Sequence, residues 1–119
     1  MKTPEQITNS LVKEFDKLND IREQSLKLSR EIIKSCSKSI RNVHRNNLDE
    51  AKQHLDEANK NYQDLRSSLK DIPELRFAGY VNDSERELIE AFLVFEFEKT
   101  NALLEFDGMN VSASNYIQG

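Results

Sequence analysis

The chain has 119 residues, a formal net charge of −4, three Gly and two Pro, with 37% hydrophobic and 32% charged residues. That length holds one domain with a modest core, and the shortage of breakers with Leu, Ile and Phe at helical spacing excludes a disordered chain and favours helices with a solvated surface. No apolar stretch follows Lys2, no segment reaches the roughly 20 apolar residues that span a bilayer, and Cys36 is the single cysteine. These features predict a soluble cytoplasmic protein with no intramolecular disulfide and no membrane partner.

Thr3-Pro4-Glu5-Gln6 reads as a helix start, with Thr3 as cap, Pro4 in the first helical position and Gln6 reaching back as in a capping box. Ile7, Leu11, Phe15, Leu18, Ile21, Leu28, Ile32, Cys36, Ile40 and Val43 then follow mostly three or four apart, which predicts one amphipathic helix over 4–45. Asn19-Asp20 is its weakest point. At 1.5 Å per residue this helix runs roughly 60 Å, longer than such a domain is wide. The rest of the chain cannot cover its apolar stripe, so a homo-oligomer is expected.

Asn46-Asn47 separates the first helix from a second over 48–70, with Asn47 and Glu50 as another capping box. Leu48, Ala51, Leu55, Ala58, Tyr62, Leu65 and Leu69 form a two-in-seven seam that folds back antiparallel on the first helix. Pro73 stops it, and 74–81 reads as a connector with buried aromatics. A third helix is predicted over 83–106, ending at Asp107-Gly108. Leu88, Ile89, Phe92, Leu93, Phe95, Phe97, Leu103 and Leu104 cover much of its circumference, so burial on several sides is expected. Ser112 opens the first turns of a fourth helix.

Two constellations can carry chemistry. Lys27, Arg30, Lys34, Lys38, Arg41 and Arg45 are spaced 3, 4, 4, 3 and 4 and share one face of the first helix, opposite Leu28, Ile32 and Val43. Residues 27–45 sum to +5 and the remainder to −9, so the basic charge is concentrated. Such a row can track a phosphate backbone; the plainer reading is a solvated face paired with acids of the second helix. No aromatic platform is interleaved with it.

Glu87 and Glu90 lie three apart on the third helix, with Glu98 about three turns beyond Glu87 near the same face. Carboxylates on a buried helix need compensation, which a divalent cation supplies while activating water and stabilising charge on phosphorus. The plainer readings make Glu87 the third residue of a capping box from Ser84 and pair Glu90 with Arg86 or the first helix. Cys36 reads as a small core residue. His44 and His54 read as surface residues without metal-ligand spacing, His44 extending the basic row.

Four segments in order carry a family resemblance. Residues 22–45, with Leu28-Ser29-Arg30 and His44-Arg45, look like the opening helix of translin and its partner Trax, and most like the archaeal translin-like proteins. Asp71 to Asp83 resembles the family's connector. Glu87-Leu-Ile-Glu90-Ala91 resembles the Glu-Tyr-Val-Glu-Ala signature of Trax. Val111 to Gly119, with Asn115-Tyr116, resembles the family's Asp-Tyr-Leu-Leu-Gly.

The resemblance implies an all-α bundle of long antiparallel helices in a closed oligomer, single-stranded RNA or DNA as partner, and a metal-dependent endoribonuclease of the Trax type. Glu87 and Glu90 match the family's paired glutamates and would be both catalytic residues and ligands of Mg²⁺ (or Mn²⁺). Two departures weaken catalysis. Asn115 stands for the family's Asp, a poorer cation ligand and no base, and Gly119 falls where the family continues through further helices, so its C-terminal helices are expected to be missing. The alternatives are a non-catalytic nucleic-acid-binding protein and a purely structural helical subunit.

Overall fold

The computed structural model describes residues 1–110, with side chains as far as Glu105. Its elements are α1 (Pro4–His44), α2 (Leu48–Ser68), a one-turn α3 (Pro73–Arg76) and α4 (Gly79–Asn110), with no strand among the described residues. The fold is all-α, as the periodicity predicts. The fourth-helix start expected near Ser112, and Asn115 with it, lies outside the described residues.

α1 begins as its sequence dictates. Thr3 Oγ1 accepts from the Gln6 N–H at 3.2 Å while Gln6 Oε1 accepts from the Thr3 N–H at 3.0 Å, so both halves of the capping box form. The helix continues unbroken through Asn19-Asp20. At its far end Asn46 takes the left-handed conformation, φ 63°. The Asn47 N–H donates to the Asn42 carbonyl at 2.8 Å and the Asn46 N–H to Val43 at 3.0 Å. This is a Schellman closure with Asn in place of Gly. It corrects the expected Asn47–Glu50 capping box: the Asn47 side chain makes no cap bond, because its residue is already committed to closing α1.

α2 returns antiparallel along α1. Ala51, Leu55, Ala58, Tyr62, Leu65 and Leu69 are buried and Leu48 half-buried, as the seam predicts. Facing them on α1 are Ile32, Cys36 and Val43 together with four serines, Ser25, Ser29, Ser35 and Ser39. Small residues let the helix axes approach. Ser39 Oγ also donates to the Ala51 carbonyl at 2.8 Å, a buried bond that joins α1 to α2.

α4 runs in the same direction as α1. Its start shares a cleft with Phe15, Leu18, Asn19 and Arg22, and its later turns lie beside His44 and Leu48. The three long helices therefore form an up-down-up arrangement, and the molecule measures 84 × 21 × 17 Å. The sequence placed α4 over 83–106. The helix in fact starts at Gly79, almost directly after α3, and continues through Gly108 to Asn110. Ser84 is interior, its hydroxyl donating to the Tyr80 carbonyl at 2.9 Å. The connector's aromatics also differ from expectation: Tyr80 is half-buried, and Phe77 is 71% exposed.

The expected burial of α4 on several sides is corrected as well. Val81, Ser84, Ala91 and Phe95 are buried against α1 and α2, but Ile89, Phe92, Leu93, Phe97, Leu103 and Leu104 are exposed. Two neighbouring helices can cover only one side of a third. The first turns of α1 are bare in the same way, with Ile7, Leu11, Phe15 and Leu18 exposed beyond the reach of α2.

Candidate nucleic-acid interface and carboxylate pair

The six cations Lys27, Arg30, Lys34, Lys38, Arg41 and Arg45 form a continuous row on α1, facing away from the helix's buried side. Lys38 is half-buried and the other five are exposed. The span from Lys27 to Arg45 is about 27 Å at the helical rise. Arg41 Nε lies back along the helix, donating to the Ser37 carbonyl at 3.4 Å.

The plainer reading of this row required acids from α2. The structure places none against it. The ion pairs among the described residues are Lys52–Asp56 at 3.7 Å, His54–Glu57 at 3.9 Å and Asp83–Arg86 at 3.6 Å, each within one helix. The acids of α2 that pair do so locally because i,i+3 and i,i+4 partners meet on one helix face. No member of the basic row joins an ion pair among the described residues. His44 is exposed at the end of α1, beside Leu93, Val94 and Phe97.

Glu87 is half-buried and Glu90 exposed on α4. The charges of both act on one atom of α1. The Cys36 thiol is fully buried, and its pKa is pushed up to about 11, first by burial and then by the negative charges of Glu87 and of Glu90. Both carboxylates are thus near enough to Cys36 for their charge to act on its thiol. Both plainer readings of the pair give way. Ser84 lies inside α4, so Glu87 is not the third residue of a capping box. Arg86 pairs with Asp83, and Glu90 has no ion-pair partner among the described residues.

The third acid, Glu98, stands 11 residues from Glu87, which is about 16 Å along a helix, too far for the two to share one ion. No group of three or more His, Cys, Asp or Glu close enough to hold a metal occurs among the described residues. Glu87 and Glu90 suit a hard cation that keeps several waters, as Mg²⁺ does, and would supply two oxygens to it. Cys36, with its thiol held protonated, reads as the core residue its spacing predicts.

Sequence reasoning missed a second group of cations. Arg66 and Lys70 share one ridge of α2, and Arg76 joins them from α3. The spacing of 66 and 70 was legible, but the turn that brings Arg76 alongside was not.

The fold and surface together define an elongated all-α protein with a row of cations on α1 and a pair of carboxylates on α4. No family model matches the chain, and no solved structure matches it. An uncharacterized protein of Methanocaldococcus jannaschii is similar, 33% identical over 113 residues, which cover 93% of this chain and 50% of that protein. The chain spans about half the length of this curated relative. No helix among the described residues is long and apolar enough to cross a membrane.

Proposed function

We propose that the chain is a translin-like protein that binds single-stranded nucleic acid, RNA or DNA, and works as a subunit of a homo-oligomer in the cytoplasm. The observation that carries this reading is the basic row of α1: six cations over about 27 Å, five of them exposed, in a chain whose net charge is −4. A protein with an overall negative charge that carries such a row of exposed cations draws anions to that row. The four-segment likeness to translin and Trax supports the same reading. The bare apolar faces of α1 and α4 support self-association.

The test is the affinity for a labelled single-stranded RNA as a function of salt. Each phosphate contact on a single strand contributes about −0.7 to the slope of log K against log salt. Replacing Lys34, Lys38 and Arg41 by Gln should therefore flatten the slope by about 2 and weaken binding at low salt. Equal binding by wild type and variant would remove the basic row from the reading, and no RNA binding by the unmodified chain would overturn it in favour of a purely structural subunit.

A second reading adds metal-dependent endoribonuclease activity of the Trax type. It is favoured by the charge that Glu87 and Glu90 both exert on the Cys36 thiol, with no ion-pair partner for either among the described residues. These two side chains would hold Mg²⁺ or Mn²⁺, which would supply a Lewis acid and an activated water. Cleavage of single-stranded RNA in Mg²⁺ but not EDTA, lost in Glu87→Gln/Glu90→Gln, is the expected result. Binding without cleavage by the unmodified chain would leave the non-catalytic reading.

A further inference from the structure

A second group of cations, sharing no residue with the basic row, lies at the corner between α2 and α3. Gln63, Arg66, Ser67 and Lys70 recur at the three- and four-residue spacing that puts side chains on one helix ridge. The turn after Lys70, closed by the Ile72 N–H donating to the Leu69 carbonyl at 3.1 Å, reverses the chain and brings Arg76 of α3 against that ridge. The five side chains line one cavity of about 350 Å³.

The chemistry of this lining is one-sided. Three are cations, two are neutral hydrogen-bonding groups, and none is a carboxylate. Arg66, Lys70 and Arg76 join no ion pair among the described residues. Three like charges around one cavity repel each other, and an anion relieves that repulsion. Glu85 and Arg66 act in opposite directions on the Tyr62 hydroxyl, Glu85 raising its pKa and Arg66 lowering it, and Glu85 is not among the residues that line the cavity. The Arg76 guanidinium carbon lies 5.7 Å from the centroid of the Phe77 ring. Phe77 itself is 71% exposed, although it is a large apolar residue beside a formed core.

We propose that Arg66, Lys70 and Arg76, with Gln63 and Ser67, form a phosphate-binding pocket at the α2–α3 corner. The guanidinium groups present planar forks to the phosphate oxygens, and Lys70 adds a point charge. The phosphate comes either from inorganic phosphate or from a nucleotide. In the second case the exposed Phe77 ring is the surface on which the base stacks. The pocket does not depend on the nucleic-acid reading of α1, because no residue is shared between them.

The experiment is calorimetric titration of the whole chain with inorganic phosphate and, separately, with uridine monophosphate. Four proteins are compared: wild type, Arg66→Gln/Arg76→Gln, Phe77→Ala, and the α1 variant Lys34→Gln/Lys38→Gln/Arg41→Gln. Circular dichroism establishes that each is folded. Saturable phosphate binding at one site per chain, weakened at least tenfold in Arg66→Gln/Arg76→Gln and unchanged in the α1 variant, supports the pocket. Tighter binding of uridine monophosphate that falls to the phosphate level in Phe77→Ala assigns the ligand as a nucleotide. Equal affinities for both, indifferent to Phe77→Ala, assign phosphate alone. No saturable binding of either ligand, or binding lost in the α1 variant and kept in Arg66→Gln/Arg76→Gln, overturns the proposal. Loss of RNA binding by the α1 variant is read separately and leaves this result untouched.

Discussion

At the scale of single residues, Cys36 shows how the fold sets chemistry. Burial and then the charges of Glu87 and Glu90 hold its pKa at about 11 against an ordinary value of 9.0. The folded chain therefore keeps a proton that the unfolded chain releases between those values. Stability from this group is fully present below pH 9 and is lost as pH rises toward 11, by roughly 2 to 3 kcal/mol if the whole shift is expressed. Denaturant melts at pH 8 and pH 10.5 should show a steeper loss for wild type than for Cys36→Ala; equal losses would mean that the thiol is not held as described. The same burial should make Cys36 slow to alkylate at neutral pH until the chain unfolds. Asn46 gives a second residue-scale prediction. Its φ of 63° suits Asn or Gly and strains a β-branched side chain. Asn46→Gly should be near neutral, whereas Asn46→Val should cost about 1 to 2 kcal/mol, read as a shift in the unfolding midpoint. At this scale legibility depended on what else competed for a group. The Thr3–Gln6 box was readable because among the described residues no other side chain bonds the same cap atoms. The similar pattern at Asn47–Glu50 failed because Asn47 closes α1. The pattern at Ser84–Glu87 failed because the chain was already helical there.

At the scale of elements, hydrophobic period decided most of the fold. The α2 seam was readable in full, since every residue from Ala51 to Leu69 at its spacing is buried. The matching face of α1 was only half readable. Its apolar members were found, but Ser25, Ser29, Ser35 and Ser39 were not, because hydroxyls carry no hydrophobic signal even when a neighbouring helix covers them. α4 was misjudged in the opposite sense: its apolar circumference was real, but the burial inferred from it needed partners that this chain does not supply. This contrast is testable by truncation. Leu65 is fully buried and Leu93 is 60% exposed. Leu65→Ala should destabilise by roughly 2 to 5 kcal/mol, while Leu93→Ala should leave the stability of a dilute, unassociated chain nearly unchanged. A comparable loss for both in urea melts would show that Leu93 is packed in the chain by itself. The basic row was legible because six cations on one exposed ridge need no tertiary information. The corner pocket was not, because Arg76 reaches it only through the turn at Ile72.

At the scale of the whole molecule, two bare apolar surfaces and two charge zones must coexist. One bare surface is the start of α1, where Phe15 is 69% exposed; the other is the outer side of α4, with Phe92, Leu93 and Phe97. Contiguous apolar surface of this kind marks contact sites rather than free protein surface. Between Gly79 and Glu105 α4 carries seven carboxylates and two cations, against the excess of cations on residues 27–45. Nucleic acid held on the exposed back of α1 leaves the apolar outer side of α4, with Phe92, Leu93 and Phe97, available for another subunit while the row is occupied. The proposed homo-oligomer uses this separation. Phe15→Glu/Phe92→Glu should convert an associating wild-type chain into a monomer in sedimentation velocity, with helix content retained, because both side chains are exposed within the single chain and support none of its core. RNA affinity per chain should persist in that variant, with lower apparent affinity for long strands that span several subunits. A wild-type chain that sediments as a monomer at high concentration would refute self-association, while the salt slope of its RNA binding would still judge the basic row on its own.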